Sequence, residues 1–238
     1  MCGYATQANR KVQRKCISQP KLQLNFQAVP SFGAAIALVQ ADRAAFAISS
    51  LVHNVSADLT FRPFAYDGLA VFVPFSYARR DNSLPTALGG QISAQGGDTG
   101  VTALPTFETL RQVIRDFEER NVGVVSFASI SRVFGQCSVY PLAIKEGNNP
   151  AVPPLITIDR KAVTPNTDLC NEKGNYTPDY EAFITGRYPL AYPIAVVYPL
   201  DNRRPPVGDR FAAMMTTAEA QKLLQRAGLI PLQVPSSQ

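Results

Sequence analysis

The chain has 238 residues, of which 46% are hydrophobic and 17% are charged. This composition suits a globular protein with one large domain or two small lobes, and it excludes a disordered chain. The net charge of +5 favours an anionic ligand, whereas a nucleic-acid-binding protein would need a denser basic patch interleaved with aromatic residues.

Membrane-spanning and metal-binding classes are excluded as well. The longest apolar stretch, 191–199, is broken by prolines and falls short of the roughly eighteen residues that a membrane helix needs. The four cysteines include no C-x-x-C pair and His53 is the only histidine, so no metal site is predicted. His53 is interpreted as a loop residue. Cys137 and Cys170 can pair in an oxidising compartment, but we expect them to be unpaired and buried.

The first elements are predicted from hydrophobic periodicity. Residues 9–18 form a basic helix, and alternating apolar and polar residues over 22–26 predict a half-buried strand. Residues 32–41 are small and aliphatic, as in a helix packed on a sheet, and a second strand follows at 44–48. This order predicts a βαβ unit with a right-handed crossover and a parallel sheet. The fold class is therefore α/β.

The middle of the chain alternates between apolar and polar stretches. Residues 69–73 form a continuous apolar run, typical of a strand buried on both faces. The glycine-rich residues 76–105 predict a long loop region. Apolar residues at helical spacing then predict a helix over 107–120, and 122–127 are interpreted as another buried strand.

The last part of the chain contains a proline-rich stretch and a well-delimited helix. Prolines cluster over 150–165, so we expect a surface excursion there, followed by a buried strand at 194–198. A capping box of Thr216 and Glu219 is predicted to begin the closing helix, and Gly228 to end it. The residues after that glycine are expected to return as a short edge segment.

Three strings, taken in order, resemble the phosphate-type solute-binding proteins of ABC transporters. Residues 25–34, NFQAVPSFGA, are similar to the family's strand and glycine-rich loop. Residues 63–73, PFAYDGLAVFV, are similar to its Tyr-Asp-Gly strand, and 186–232 resemble its return strand and closing helix. The resemblance implies a two-lobed periplasmic-binding-protein fold of type II, in which each lobe is a mixed sheet flanked by helices.

The resemblance also implies where the lobes divide. Lobe I would comprise residues 1–74 and 194–238, and lobe II the inserted residues 75–193. Counted back from Ser31, the start of the chain falls near the family's first binding loop, so we expect the opening strand and the export signal to be missing. The family uses the Tyr-Asp-Gly segment at its hinge, and we therefore expect a structural role for Asp67.

An oxyanion site is implied at the start of the second predicted helix. Ser31 would donate to the anion through its hydroxyl and its amide, and the amides of Phe32, Gly33 and Ala34 would add to it. Pro30 and Phe32 stand where the family prefers glycine. Ser31 suits the alternative role of a helix cap equally well.

Other site residues are implied by position in the family. Ser50 stands where phosphate receptors place an aspartate that accepts the proton of hydrogen phosphate, which implies a wider range of oxyanions; its alternative is a simple turn residue. Arg79 and Arg80 are candidates for a charge clamp from lobe II, or else solvated surface charges. Thr99 lies in a glycine-rich string that resembles the family's second-lobe loop.

The implied function is that of the substrate-binding component of an ABC transport system for phosphate or a related oxyanion. Such a receptor captures the anion between its lobes and passes it to a permease. The alternative is a degenerate sensor or protein-interaction module with the same fold. No nucleotide-binding or hydrolase motif occurs, so neither an enzyme nor a cofactor is expected. We expect a monomer in the periplasm or outside the cell, with no nucleic-acid partner.

Overall fold

The computed structural model describes residues 2–4, 14–16, 24–50, 55–75, 87–89, 106–121, 125–171, 174–200 and 206–233. The helices are α1 (Phe32–Gln40), α2 (Thr106–Arg120), α3 (Ile130–Val133), α4 (Tyr180–Ile184), α5 (Val207–Met215) and α6 (Ala218–Arg226). The strands are β1 (Cys2–Tyr4), β2 (Arg14–Cys16), β3 (Ala47–Ser49), β4 (Leu59–Pro74), β5 (Ala87–Gly89), β6 (Ser126–Ser129), β7 (Val139–Pro141), β8 (Ala143–Lys145), β9 (Leu155–Thr157), β10 (Tyr176–Pro178) and β11 (Ala191–Pro199). The α/β class is as predicted.

The central sheet has five strands in the order β3-β11-β4-β6, with β7 also paired to β4. All of its pairings are antiparallel, so the parallel βαβ unit predicted from the sequence is wrong. β3 pairs with β11, which comes from near the end of the chain, and residues 24–29 form no strand. Leu24 and Phe26 are exposed, and the Phe26 ring contacts the edge of a small core through Phe46 and Phe211.

β4 is 16 residues long and changes its neighbours half-way along. Its first half pairs with β11 as far as Gly68, which lies opposite Ala191. Its second half lies between β6 and β7, because Phe72 is opposite both Ser126 and Pro141. One strand therefore runs through both halves of the molecule.

Separate hydrophobic cores surround the two halves of β4. The larger core encloses the second half and includes buried side chains of α2, α3, β7 and α4, together with Ile230 from the C-terminal segment. Two smaller cores cover opposite faces of the sheet around the first half, since successive strand residues such as Val196 and Val197 point to opposite faces. α1 packs on the face of Val197 through Val39, and α5 packs on the face of Val196 through Phe211.

Several predicted elements are shifted or replaced. The basic helix predicted over 9–18 is wrong where the structure describes it, because β2 lies there and pairs with β1. The strands predicted at 44–48 and 122–127 are observed slightly later, as β3 and β6. The predicted burial of the second one is wrong, because Phe127 in β6 is exposed. The predicted loop region over 76–105 lies outside the described residues except for β5. α1 and α2 lie where the sequence predicts them.

A disulfide joins Cys137 and Cys170, whose Cα atoms are 4.8 Å apart. The expectation that these cysteines are unpaired and buried is therefore wrong, and Cys170 is exposed.

The proline-rich stretch over 150–165 was predicted to be a surface excursion, but part of it is buried. Leu155 and Val163 are buried in the larger core, because β9 and the turn after it direct alternate side chains inward.

The closing helix α6 is capped one residue later than predicted. The Thr217 hydroxyl accepts a hydrogen bond from the amide of Ala220 at 3.3 Å, whereas Thr216 ends α5. Gly228 ends the helix region as predicted, with a φ of +85°. The residues after it return to the sheet, where Ile230 forms an antiparallel bridge to β4.

Candidate functional site

Ser31 caps the N terminus of α1. Its hydroxyl oxygen accepts a hydrogen bond from the amide of Ala34 at 3.1 Å, and its carbonyl accepts one from Ala35 at 3.1 Å. Its backbone is extended, with φ −152° and ψ 162°, as an N-cap requires. The capping role is therefore observed. It occupies only an acceptor lone pair of the hydroxyl, so the Ser31 proton can still be donated to another group.

The first turn of α1 opens to the surface. Ser31 and Gly33 are exposed, and Phe32 and Ala34 are half-buried. A Cβ placed on Gly33 would meet only the Ser31 hydroxyl oxygen, at 4.0 Å, so the space beside this turn is open. The first amides of a helix lack intrahelical acceptors, and the helix dipole is positive at this end. This turn has the chemistry to hold an anion.

Ser50 follows β3 directly and is exposed. α1 and β3 are consecutive along the chain and share one small core, which contains Val39, Ala47 and the edge of Phe32. A helix and a strand that are joined by a short connection and pack together run in opposite directions. From this direction we infer that the start of α1 and the end of β3, with Ser50, lie at the same edge of the sheet.

The predicted site residues of lobe II are not tested by the structure. Arg79, Arg80 and Thr99 lie outside the described residues, as does His53. Within the described ranges, no group of three or more His, Cys, Asp or Glu side chains is placed to hold a metal ion. None of the helices in those ranges combines the length and the apolar character that crossing a membrane requires.

Asp67 is buried, with 4% of its surface exposed. One carboxylate oxygen accepts hydrogen bonds from the amides of Gly68 at 2.8 Å and Ser131 at 3.1 Å, and the other accepts from the Ser131 hydroxyl at 2.6 Å. Ser131 lies in the first turn of α3, where Ser129 stands at the cap position without a capping hydrogen bond from its side chain. A carboxylate on β4 thus accepts the hydrogen bond of an amide at the start of a helix, 64 residues further along the chain.

The glycine of the Tyr-Asp-Gly string is required by packing. A Cβ on Gly68 would lie 2.5 Å from the ring of Phe183 and 3.1 Å from the carbonyl oxygen of Leu190. The Phe183 ring stacks on Tyr188 at 4.6 Å, and the Tyr188 hydroxyl donates to the carbonyl of Leu69 at 2.9 Å. These contacts agree with the structural role expected for this segment.

Burial dominates the electrostatics around Asp67. It raises the pKa of the carboxyl group, although the hydrogen bonds from Ser131 and Gly68 and the positive charge of Arg132 act in the opposite direction. Tyr192 lies opposite Asp67 on β11. The pKa of Tyr192 is raised as well, first by burial and then by the negative charge of Asp67. No partner that would make Asp67 a general base lies among these contacts.

The contact between Ser131 and Gly228 was not predicted from the sequence. A Cβ on Gly228 would lie 2.8 Å from the carbonyl oxygen of Ser131, so the turn after α6 presses directly on the start of α3. The only available signal was the glycine at the helix end, which indicates a helix stop and says nothing about a distant neighbour.

Comparison with known proteins decides the fold. The sequence matches no protein-family model and no curated protein. Among solved structures, an ABC-type phosphate transport receptor from Vibrio cholerae superposes with a TM-score of 0.52 at 15% sequence identity, covering 83% of this chain and 84% of that one. The chain has the type II periplasmic-binding-protein fold. The fold implied by the three sequence strings is confirmed.

Two further structures are similar over comparable lengths. PstS from Borrelia burgdorferi aligns at 11% identity with a TM-score of 0.45, covering 85% of each chain. The oxidised form of OxyR from Corynebacterium glutamicum aligns at 13% identity with a TM-score of 0.40, covering 82% of this chain and 53% of that one. Both TM-scores are below 0.5, so the fold assignment is drawn from the Vibrio cholerae receptor.

Proposed function

We propose that this periplasmic-binding-protein fold captures phosphate or a related oxyanion as the substrate-binding component of an ABC transport system. The observation that carries the proposal is the exposed start of α1, where Ser31 and Gly33 open to the surface at an edge of the sheet. The fold shared with a phosphate transport receptor supports it.

The anion would be held by neutral donors rather than by a counter-ion at this end of the molecule. The amide of Gly33 and the hydroxyl proton of Ser31 supply directed hydrogen bonds, and the positive end of the α1 dipole supplies charge. Capping by Ser31 and donation by Ser31 are compatible, because they use different parts of the same hydroxyl. The amide of Ala34 already donates to the Ser31 hydroxyl oxygen, so it orients the turn and does not donate to the anion, while the amide of Phe32 belongs to the same turn.

Ser50 sets the expected selectivity. A hydroxyl both donates and accepts, whereas a carboxylate only accepts. A site with Ser50 at this edge therefore tolerates oxyanions with and without an acidic proton, which distinguishes it from a site that demands hydrogen phosphate. We propose that sulfate competes with phosphate here.

The second half of the site would come from lobe II. Arg79, Arg80 and Thr99 remain the candidates, with the lobes divided as 1–74 with 194–238, and 75–193. The larger core combines 70–73 and Ile230 of the proposed lobe I with side chains of the proposed lobe II, so the cores divide in the middle of β4 and do not follow the proposed boundary at residue 74. The disulfide supports the proposed placement in the periplasm or outside the cell, because such bonds persist in oxidising compartments. A monomer would deliver its anion to a permease, in a binding role rather than a catalytic one.

Isothermal titration with phosphate and then with sulfate at low salt tests this function. We expect a Kd in the micromolar range or tighter for phosphate, which corresponds to at least about 8 kcal/mol. Ser31→Ala should weaken binding about tenfold, the value of one hydrogen bond to a charged ligand. Thr217→Ala is the matched control, because Thr217 caps another nine-residue helix with the same kind of bond. Equal weakening by both variants would mean that Ser31 acts on stability alone.

The alternative function, a receptor-like module that binds a protein partner, is favoured by exposed apolar side chains on the first half of the molecule. Phe26 and Phe61 are 66% and 47% exposed, and large exposed aromatic residues are typical of protein contacts. Titrations that remain silent for phosphate and for sulfate, with an intact fold by circular dichroism, would decide for this alternative.

A further inference from the structure

Both neighbours of β4 change within a few residues of Asp67. On one side, Tyr66 bridges to Ile230 of the C-terminal segment, whereas Leu69 already pairs with Ser129 of β6. Asp67 and Gly68 therefore lie in the gap between two partners that come from different parts of the chain.

The same change occurs on the opposite side of the strand. Pairing with β11 ends at Gly68, and pairing with β7 begins at Phe72. In the stretch between them, the amide of Leu69 donates to Leu190, the amide of Leu142 donates to Val71, and the Tyr188 hydroxyl donates to the carbonyl of Leu69. The larger core and the two smaller cores thus meet where β4 exchanges β11 for β7 on this side.

The carboxylate of Asp67 lies between the Tyr66–Ile230 bridge and the first pair of β4 with β6. It binds the amide and the hydroxyl of Ser131, and the carbonyl of the same serine lies against the turn at Gly228. A second contact reinforces this arrangement, because the Gln225 side chain of α6 donates to the hydroxyl of Tyr180 on α4 at 3.0 Å. Strand, short helix and C-terminal turn meet at one point.

We propose that Asp67, Ser131 and Gly228 form a clasp that fixes the larger core relative to the two smaller cores. With the clasp closed, α3 and the C-terminal segment are held against residues 67–69 of β4, which we call the crossing point. With the clasp open, the paired ladders on either side stay intact, and the larger core turns relative to the two smaller cores about the crossing point. The clasp is a conformational device that is separate from the exposed start of α1.

Residue-resolved hydrogen exchange of the full chain under native conditions tests the clasp. The reporter amides are those of Tyr66, Gly68, Ser131 and Ile230, each of which donates at or beside the crossing point. In Asp67→Ala, these four amides should exchange at least about tenfold faster than in the wild type, a ratio that corresponds to about 1.4 kcal/mol of opening free energy. Amides away from residues 67–69 that exchange by local opening, such as those at the ends of α1, should keep their wild-type rates, because local opening there does not break the clasp.

Two variants make the test specific. Asp67→Asn keeps an oxygen for the two amides and places an N–H toward the Ser131 hydroxyl, so the four reporter amides should stay within about threefold of wild type. Asp179→Ala removes another buried aspartate that caps a helix, α4, inside one core. It should accelerate exchange in α4 and leave Ile230 unchanged.

The clasp would be wrong in either of two outcomes. In the first, Asp67→Ala leaves the four reporter amides at wild-type rates. In the second, the four reporter amides of the wild type exchange as slowly as the slowest amides of the chain, which would mean that they open only by global unfolding. Neither outcome depends on phosphate, so a silent titration would remove the proposed function and leave the clasp standing.

Discussion

Ser31 and Asp67 perform the same local task in opposite environments. Each provides an oxygen to an amide at the start of a helix, Ser31 for α1 and Asp67 for α3. Ser31 is exposed and caps the helix that follows it directly, whereas Asp67 is 4% exposed and reaches across 64 residues. The surface cap retains a free proton and open space in front of it, while every oxygen of the buried cap is occupied.

The difference shows what burial does to a polar group. A buried donor or acceptor without a partner costs about 1–3 kcal/mol, so buried polar groups are committed to the fold. An exposed donor or acceptor exchanges its hydrogen bonds with water at little cost, so it is available to bind a ligand. The first region is therefore where binding is expected, and the second is where the molecule is held together.

The largest expected effect is that of Asp67→Ala on stability. The substitution leaves the amides of Gly68 and Ser131 without acceptors inside the protein, so we expect a loss of about 3 kcal/mol in the free energy of unfolding. Urea denaturation followed by circular dichroism measures it. A loss below about 0.5 kcal/mol, the size of an ordinary surface substitution, would contradict the structural role.

Gly228→Ala should rank second. The new Cβ would meet the carbonyl of Ser131 at 2.8 Å at a backbone φ of +85°, and we expect a loss of about 2 kcal/mol. Gly186→Ala is the control, because φ is +71° there and no atom lies within 4 Å of the new Cβ. It should lose about 1 kcal/mol, the cost of the left-handed conformation alone. Equal losses of unfolding free energy in the two variants would mean that the contact with Ser131 does not affect stability.

At the surface, Ser31→Ala should cost about 1 kcal/mol of unfolding free energy, since it removes the cap of α1. Ser31→Gly should cost only a few tenths of a kcal/mol, because glycine is accepted at the cap position. Differential scanning calorimetry of the two variants checks this order. If Ser31→Ala destabilised the protein as much as Asp67→Ala, exposure would not separate the two caps.

The smallest effect is expected in the pH dependence of stability. Burial raises the pKa of Asp67 in the folded protein above its unfolded value, so the folded state keeps the proton longer as the pH rises. The contribution of Asp67 to the free energy of unfolding is therefore complete below the ordinary carboxyl pKa of about 4. It is lost as the pH increases through the raised pKa of the folded protein. Arg132 and Tyr192 face the same carboxyl, and the bonds from Ser131 offset part of the burial, which keeps the change small.

Urea midpoints of wild type and Asp67→Asn between about pH 4 and pH 7 measure this dependence. The wild type should lose stability relative to the asparagine variant as the pH rises. A difference that is constant, or that has the opposite sign, would show that the carboxyl group is not destabilised by burial.

The sequence predicted the features that depend on neighbours along the chain. The α1 helix, its cap at Ser31 and the end of the last helix at Gly228 all follow from local hydrogen bonding and backbone conformation. In β4, the apolar run indicated only 69–73, because Arg62 and Pro63 interrupt the hydrophobic pattern of the first half of the strand. That first half is buried in part by helices from the end of the chain.

The features that the sequence did not predict depend on distant partners. The bonds from Ser131 to Asp67 and the pairing of β3 with β11 join residues that no periodicity relates. The disulfide was missed for the same reason, since the spacing of Cys137 and Cys170 carries no pattern. The resemblance to solute-binding proteins thus indicated the candidate anion-binding turn, and only the folded chain shows the contacts that hold residues 67–69 in place.

The disulfide has a practical consequence for anyone who prepares the protein. It closes a loop with a sequence separation of 33 residues, which contains β7, β8 and β9 and few long elements of regular structure. Cross-linking a loop of this length is worth about 2–4 kcal/mol. Material purified from a reducing cytosol would therefore have the same sequence but a lower free energy of unfolding. The oxidation state of the two cysteines has to be verified by mass spectrometry before any two batches are compared.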